Sequence, residues 1–151
     1  MDPADLLSAF YQCYTKLCSE KLRSAKLSRT NFDGINCLAS LGIMPDSKGM
    51  ARAYKVTTAQ GEGIYRGGVN YIKHRIFSAD LDKDIKKDCS LGINLATFSW
   101  CLNAFTDKTY HLFMFKFNVK DAVCPVGSDG KFRVKKCIKV GECDWQGNLL
   151  K

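Results

Sequence analysis

The sequence predicts an α+β domain: an N-terminal helical hairpin packed on a twisted, mostly antiparallel sheet, with one further buried helix against the same core. Three observations predict it. Apolar residues recur at spacings of three and four before residue 50. After Gly49 the period drops to two, and a helical stretch returns between Asn94 and Phe105. At 151 residues and 46% hydrophobic, the chain has the length of one domain (1–151) and the material for a core. Residues 1–50 read as its helical part and 51–143 as its sheet-rich part.

Asp2-Pro3 is good chemistry for a helix start, since Asp caps and Pro is tolerated in the first turn. Leu6, Phe10, Cys13, Tyr14, Leu17 and Cys18 then form an apolar stripe, with Gln12, Lys16, Ser19, Glu20 and Arg23 opposite. The stripe needs a cover, either the sheet of the same chain or the matching helix of a second copy in a homodimer. A second, short helix follows Asn31-Phe32-Asp33 and stops near Gly42. Met44 to Gly49 reads as a turn. Ala51–Thr58 reads as a strand, Gly61-Glu62-Gly63 and Gly67-Gly68 as turns, and Val69–Phe77 as another strand. The polar stretch Ala79–Lys87 reads as an exposed loop.

Asn94–Phe105, with Thr97 as its cap, reads as the buried helix. Tyr110–Val119 alternates cleanly and is apolar on both faces near its start, which suits a central strand. Lys131–Val140 reads as one more strand. Phe132, Val134, Ile138 and Val140 fall on one side, and Lys131, Arg133, Lys135, Cys137 and Lys139 on the other.

Charge narrows the function classes. Twenty-three Lys+Arg against 15 Asp+Glu give a net +8, which favours nucleic acid, nucleotide phosphates or an acidic protein as partner. No apolar run reaches the roughly 18 to 20 residues of a bilayer span, so no membrane is expected. The acidic start lacks the layout of a secretory signal; Cys13, Cys18, Cys37 and Cys101 sit among apolar residues and Cys89, Cys124, Cys137 and Cys143 near turns or strands, so the eight read mostly as reduced packing thiols. Spaced cysteine pairs of the zinc type are missing, and the histidines are only His74 and His111. Neither a metal nor a cofactor is predicted.

The leading candidate site is the cationic side of the last strand: Lys131, Arg133, Lys135 and Lys139, which Lys116, Lys120 and Lys136 could enlarge. Cations at alternate positions stand about 7 Å apart and suit phosphates. The bland alternative is an ordinary solvated strand face. The glycine-rich run Gly61–Gly68 lacks a phosphate-loop pattern and is explained by two tight turns. No nucleophile–base motif is visible, and Cys137 alone among the thiols has several lysines beside it.

The stretches Ala53-Tyr54-Lys55-Val56, Cys89–Thr97 and Gly130-Lys131-Phe132-Arg133-Val134-Lys135-Lys136-Cys137 carry a resemblance. Residues 52–141 resemble a domain that follows pentapeptide repeats in some large DNA virus and bacterial proteins. That family often has His where this chain has Asn94. The resemblance implies a viral or phage-like setting, in host cytoplasm or virion, and no reaction. The layout is also loosely similar to ADP-ribosyltransferase-like folds. Tyr54, Tyr65, Arg66, Ser99 and Glu142 would then surround a nucleotide such as NAD. The expectation is a non-enzymatic binding or accessory protein meeting nucleic acid or an acidic protein through its basic strand. A nucleotide-binding domain, active or degenerate, is the alternative.

Overall fold

Three phenylalanines at every second position decide the centre of the molecule. In the computed structural model, which describes residues 37–151, Phe113, Phe115 and Phe117 of strand β4 (His111–Asn118) enter one apolar cluster. Leu112 and Met114, on the opposite side of β4, enter a second cluster. A strand buried on both faces belongs in mid-sheet. Accordingly, β4 is paired along its whole length with β1 (Met50–Thr57), in register from Met50↔Asn118 to Thr57↔His111. Its other edge pairs with β7 (Lys136–Cys143).

The remaining strands are β2 (Ile76–Ser78), β3 (Ile93–Ala96), β5 (Ala122–Val123) and β6 (Lys131–Val134). All pairings are antiparallel, in the order β2-β7-β4-β1-β3-β6-β5. One helix, α1 (Phe98–Ala104), and two 3₁₀ turns (Cys37–Leu41 and Val119–Asp121) complete the regular structure of the described residues.

These elements correct the expected fold class. The described chain is a seven-stranded antiparallel sheet with one short helix. No helical hairpin packed on a sheet is shown: the first helix lies outside the described residues. Of the second, only the 3₁₀ turn Cys37–Leu41 lies within them. The further helix is shorter than its apolar pattern suggested, because Ile93–Ala96 is strand β3. Thr97 does cap it, its Oγ1 accepting from Trp100 N at 3.2 Å. Cys101 is its only buried side chain, so α1 lies on the sheet's surface and is not sunk in the core.

The expected strand Lys131–Val140 is two strands. β6 and β7 run in the same direction with only Lys135 between them, yet three strands separate them in the sheet order. Two Cα–Cα steps span at most about 7.6 Å. Four strand spacings in a flat sheet would need about 19 Å. The sheet must therefore roll until its two ends meet at Lys135. There Lys135 N donates to Asp121 O (2.8 Å) and Lys135 O accepts from Ala79 N (2.9 Å).

Rolling gives the sheet a concave face, filled by Ala51, Ala53, Leu95, Phe115, Phe132 and Val134, and a convex face covered by α1 and by Tyr54, Trp100 and Trp145. A bulge places Val140 outside the register between Met114↔Gly141 and Phe115↔Lys139. It explains why Cys137 and Cys143, an even number of residues apart, end in different clusters.

Candidate site: a cavity beside strand β1

The residues expected to form one basic face are separated and given different work. Arg133 is fully buried (0% exposed). Its Nε donates to Asp82 O (2.8 Å), and its two terminal nitrogens to Lys87 O (2.7 Å) and Asp84 O (2.5 Å). It pins the loop 80–91 from inside. Lys139 Nζ donates to Tyr71 O (2.6 Å) and Ile72 O (2.8 Å), over the ring of Phe113. Lys131 leans over the Trp100 ring at 5.3 Å. Lys135 alone of the four is an exposed side chain. Strict alternation misassigned Arg133 because neighbouring Phe132 and Val134 are buried too, so β6 has no solvated face.

The structure instead opens a cavity of about 890 Å³ where β1 and β3 part. These two strands share one paired position, Tyr54↔Ala96. Past it, the hairpin that follows β1 occupies the edge β3 would have taken, through the bridges Thr57↔Gly63 and Glu62↔Asn70. Glycine is required in that hairpin. A Cβ on Gly63 would stand 2.6 Å from Arg66 O, and Gly61 has φ +85° with Ile72 closely packed against it. The tight turn holds Tyr65 and Arg66 at the cavity mouth.

Lys55 is one of the charged groups that line the cavity, with Arg66, Lys131, Asp80 and Asp88. It shares the concave face with Ala51 and Ala53, so its stem is buried while its amine reaches the split. Nζ donates to Asn94 O (2.9 Å) and lies 4.9 Å from the centroid of Tyr71. Burial pushes its pKa down to about 8, against smaller upward contributions from Cys137 and Cys101. Among the described residues no carboxylate forms an ion pair with it. Burial likewise raises Tyr71 and Cys101 to about 12, so both stay protonated at neutral pH. Tyr65, Trp100 and Phe105 line an aromatic wall, with Phe105 6.2 Å from Tyr65 and 5.8 Å from Trp100 between ring centres.

Of the residues expected around a nucleotide, the cavity brings together Tyr54, Tyr65 and Arg66. Ser99 does not line this cavity with Tyr65 and Arg66; it lines a second, shallower depression, which Tyr54 also borders together with Arg52 and Lys116. Glu142 is elsewhere again, its Oε1 2.6 Å from His111 Nδ1. Sequence reasoning missed Lys55. Its one visible signal was a lysine on the same face of the strand as Ala51 and Ala53.

Among the described residues, Cys101, Cys124, Cys137 and Cys143 are buried thiols and Cys89 an exposed one. No group of three or more His, Cys, Asp or Glu there is placed to hold a metal. No helix among them is long and apolar enough to cross a membrane. No protein-family model, curated protein or solved structure matches the chain.

Proposed function

We propose that this chain is a ligand-binding domain, not a catalyst, and that the cavity beside β1 takes a small acidic ligand with a planar part. The observation that carries the reading is the Lys55 amine. It borders a cavity of ligand-binding size with one hydrogen-bond acceptor among the described residues, Asn94 O, leaving two donors. With a pKa near 8, most of the amine is charged at neutral pH, and a phosphate or carboxylate satisfies it better than a lone carbonyl. With Lys55, Arg66 and Lys131 bring three cations to the lining against two carboxylates, Asp80 and Asp88, and the Tyr65, Trp100 and Phe105 wall suits a ring.

The binding reading thus moves from a strand face to a cavity. Arg133 is fully buried and donates to three backbone carbonyls, and Lys139 already donates to two. Against NAD-directed chemistry stands the dispersal of Ser99 and Glu142 away from Tyr65 and Arg66.

Thermal shift with nucleoside monophosphates, NAD, cyclic dinucleotides, short oligonucleotides and inorganic phosphate tests the proposal, because a ligand of the native state raises Tm with concentration. A ring-bearing phosphate should bind more tightly than inorganic phosphate. Lys55→Met should weaken it about 10- to 150-fold, the worth of one hydrogen bond to a charged group. Equal affinity in the variant, or no shift from any compound at millimolar concentration, would refute the proposal.

A further inference from the structure

We infer that Lys55 is also a nucleophilic amine, able to capture carbonyl-bearing ligands that enter the cavity as a covalent imine. The inference shares the cavity with the proposed function but does not need the ligand to be acidic.

Position argues first. Nζ borders the cavity of about 890 Å³ and is held by a single carbonyl, Asn94 O, on one side. An attacking nitrogen needs an open approach and a fixed origin, and this arrangement supplies both. Pairing argues second. A surface lysine beside a carboxylate is kept protonated. Lys55 has only a carbonyl and the face of Tyr71, and no carboxylate within ion-pair distance among the described residues. Burial then makes the neutral amine accessible near pH 8. The other nucleophiles buried around it, the Cys101 thiol and the Tyr71 phenol, are held in their protonated forms. Exposed Cys89 also lines the cavity. A thiol adds to a carbonyl reversibly and gives no imine.

The step balances without a co-reactant. The neutral amine's lone pair attacks the carbonyl carbon, forming a C–N bond as the C=O π pair moves to oxygen. That oxygen takes up the proton lost by nitrogen. The carbinolamine then expels hydroxide, which leaves as water with the second nitrogen proton, and the C=N bond remains.

The test treats the full chain with limiting pyridoxal 5′-phosphate or with pyridoxal, reduces with borohydride, and maps the fixed adduct by peptide mass spectrometry. Lys55 should be labelled by both reagents at least about ten-fold faster than exposed lysines such as Lys73 and Lys86. Lys55→Arg should lose that adduct while slow labelling elsewhere continues. The mapping on the unaltered chain decides the matter even where the variant folds poorly. Labelling spread evenly over the lysines would overturn the inference. Preference for Lys55 with the phosphate-bearing reagent alone would also overturn it, tracing the selectivity to the anion and leaving the proposed function standing. Fast labelling by pyridoxal without any acidic ligand in the thermal-shift series would sustain the reactive amine and remove the acidic-ligand reading.

Discussion

Arg133→Met should destabilise the protein and release the loop 80–91, with no direct effect on any surface that meets solvent. The side chain is fully buried and donates three charge-assisted hydrogen bonds to Asp82 O, Asp84 O and Lys87 O. Hydrogen bonds to charged groups contribute about 1.5–3 kcal/mol each. The three do not add fully, because the loop's carbonyls lie near water and rehydrate when released. A loss of about 3–5 kcal/mol, the range for removing one partner of a buried charged contact, is the reasonable expectation. For a chain of this size each kcal/mol shifts Tm by about 2–4 °C, so Tm should fall by roughly 6–20 °C.

Circular dichroism gives the melting shift, and amide hydrogen exchange locates it. Protection of Asp82 N, which donates to Leu91 O at 3.0 Å, should fall before that of β4 amides. Arg133→Lys keeps the charge but loses the planar fork that reaches three carbonyls, so it should recover only part of the loss. A Met variant with unchanged Tm and unchanged exchange in 82–91 would refute the reasoning. So would a Met variant that stays folded and loses only salt-dependent affinity for DNA or RNA, the signature of an exposed phosphate contact.

Two further outcomes follow from the same geometry. Lys139→Met removes the donors to Tyr71 O and Ile72 O and should cost about 1–3 kcal/mol, with exchange rising first around residues 70–74. Wild-type protection there would contradict the clamp. His111 has both ring nitrogens against acceptors, Nδ1 2.6 Å from Glu142 Oε1 and Nε2 3.1 Å from Ala59 O, and the Glu142 hydrogen bond chiefly raises its pKa. The folded value lies above the unfolded one of about 6.5, so the stabilisation is fully present below about pH 6.5 and fades as pH rises through the raised value. The stability difference between wild type and His111→Gln should therefore shrink from about pH 6 to pH 9. A pH-independent difference would show that the imidazolium contributes nothing.

Elements with strong local signals were legible in the sequence, and those set by long-range closure were not. β4 could be read from Phe113, Phe115 and Phe117 alternating with Leu112 and Met114, and Thr97 announced the start of α1. The division of 131–143 could not be read. Nothing local to Lys135 says that the sheet rolls until β6 and β7 meet there, since the roll is set by pairings with residues 76–78, 93–96 and 111–118. The N-terminal part of the apparent helix Asn94–Phe105 was misread for a related reason. Ile93 and Leu95 suit a strand as well as a helix, and pairing with Phe132 and Val134 decided the matter. The cavity was invisible for the same cause: it exists because β1 and β3 share one position, a property of neither strand alone.

Part of the positive charge has an architectural use that composition alone cannot separate from a nucleic-acid signal. Lys55, Arg133 and Lys139 all turn inward, and none pairs with a carboxylate among the described residues. They donate instead to backbone carbonyls of irregular segments: Asn94; Asp82, Asp84 and Lys87; Tyr71 and Ile72. A fold with long loops on a rolled sheet has carbonyls that no ladder satisfies, and a cation on a long stem reaches them from the core. Such cations add to the net charge without offering it to a partner. Arg133 and Lys139 do not border the cavity, and their donors meet two or three carbonyls each. Lys55 meets one and does border it. The cation held by a single carbonyl is the one that borders open space, and that asymmetry sets it apart as a functional group among structural ones.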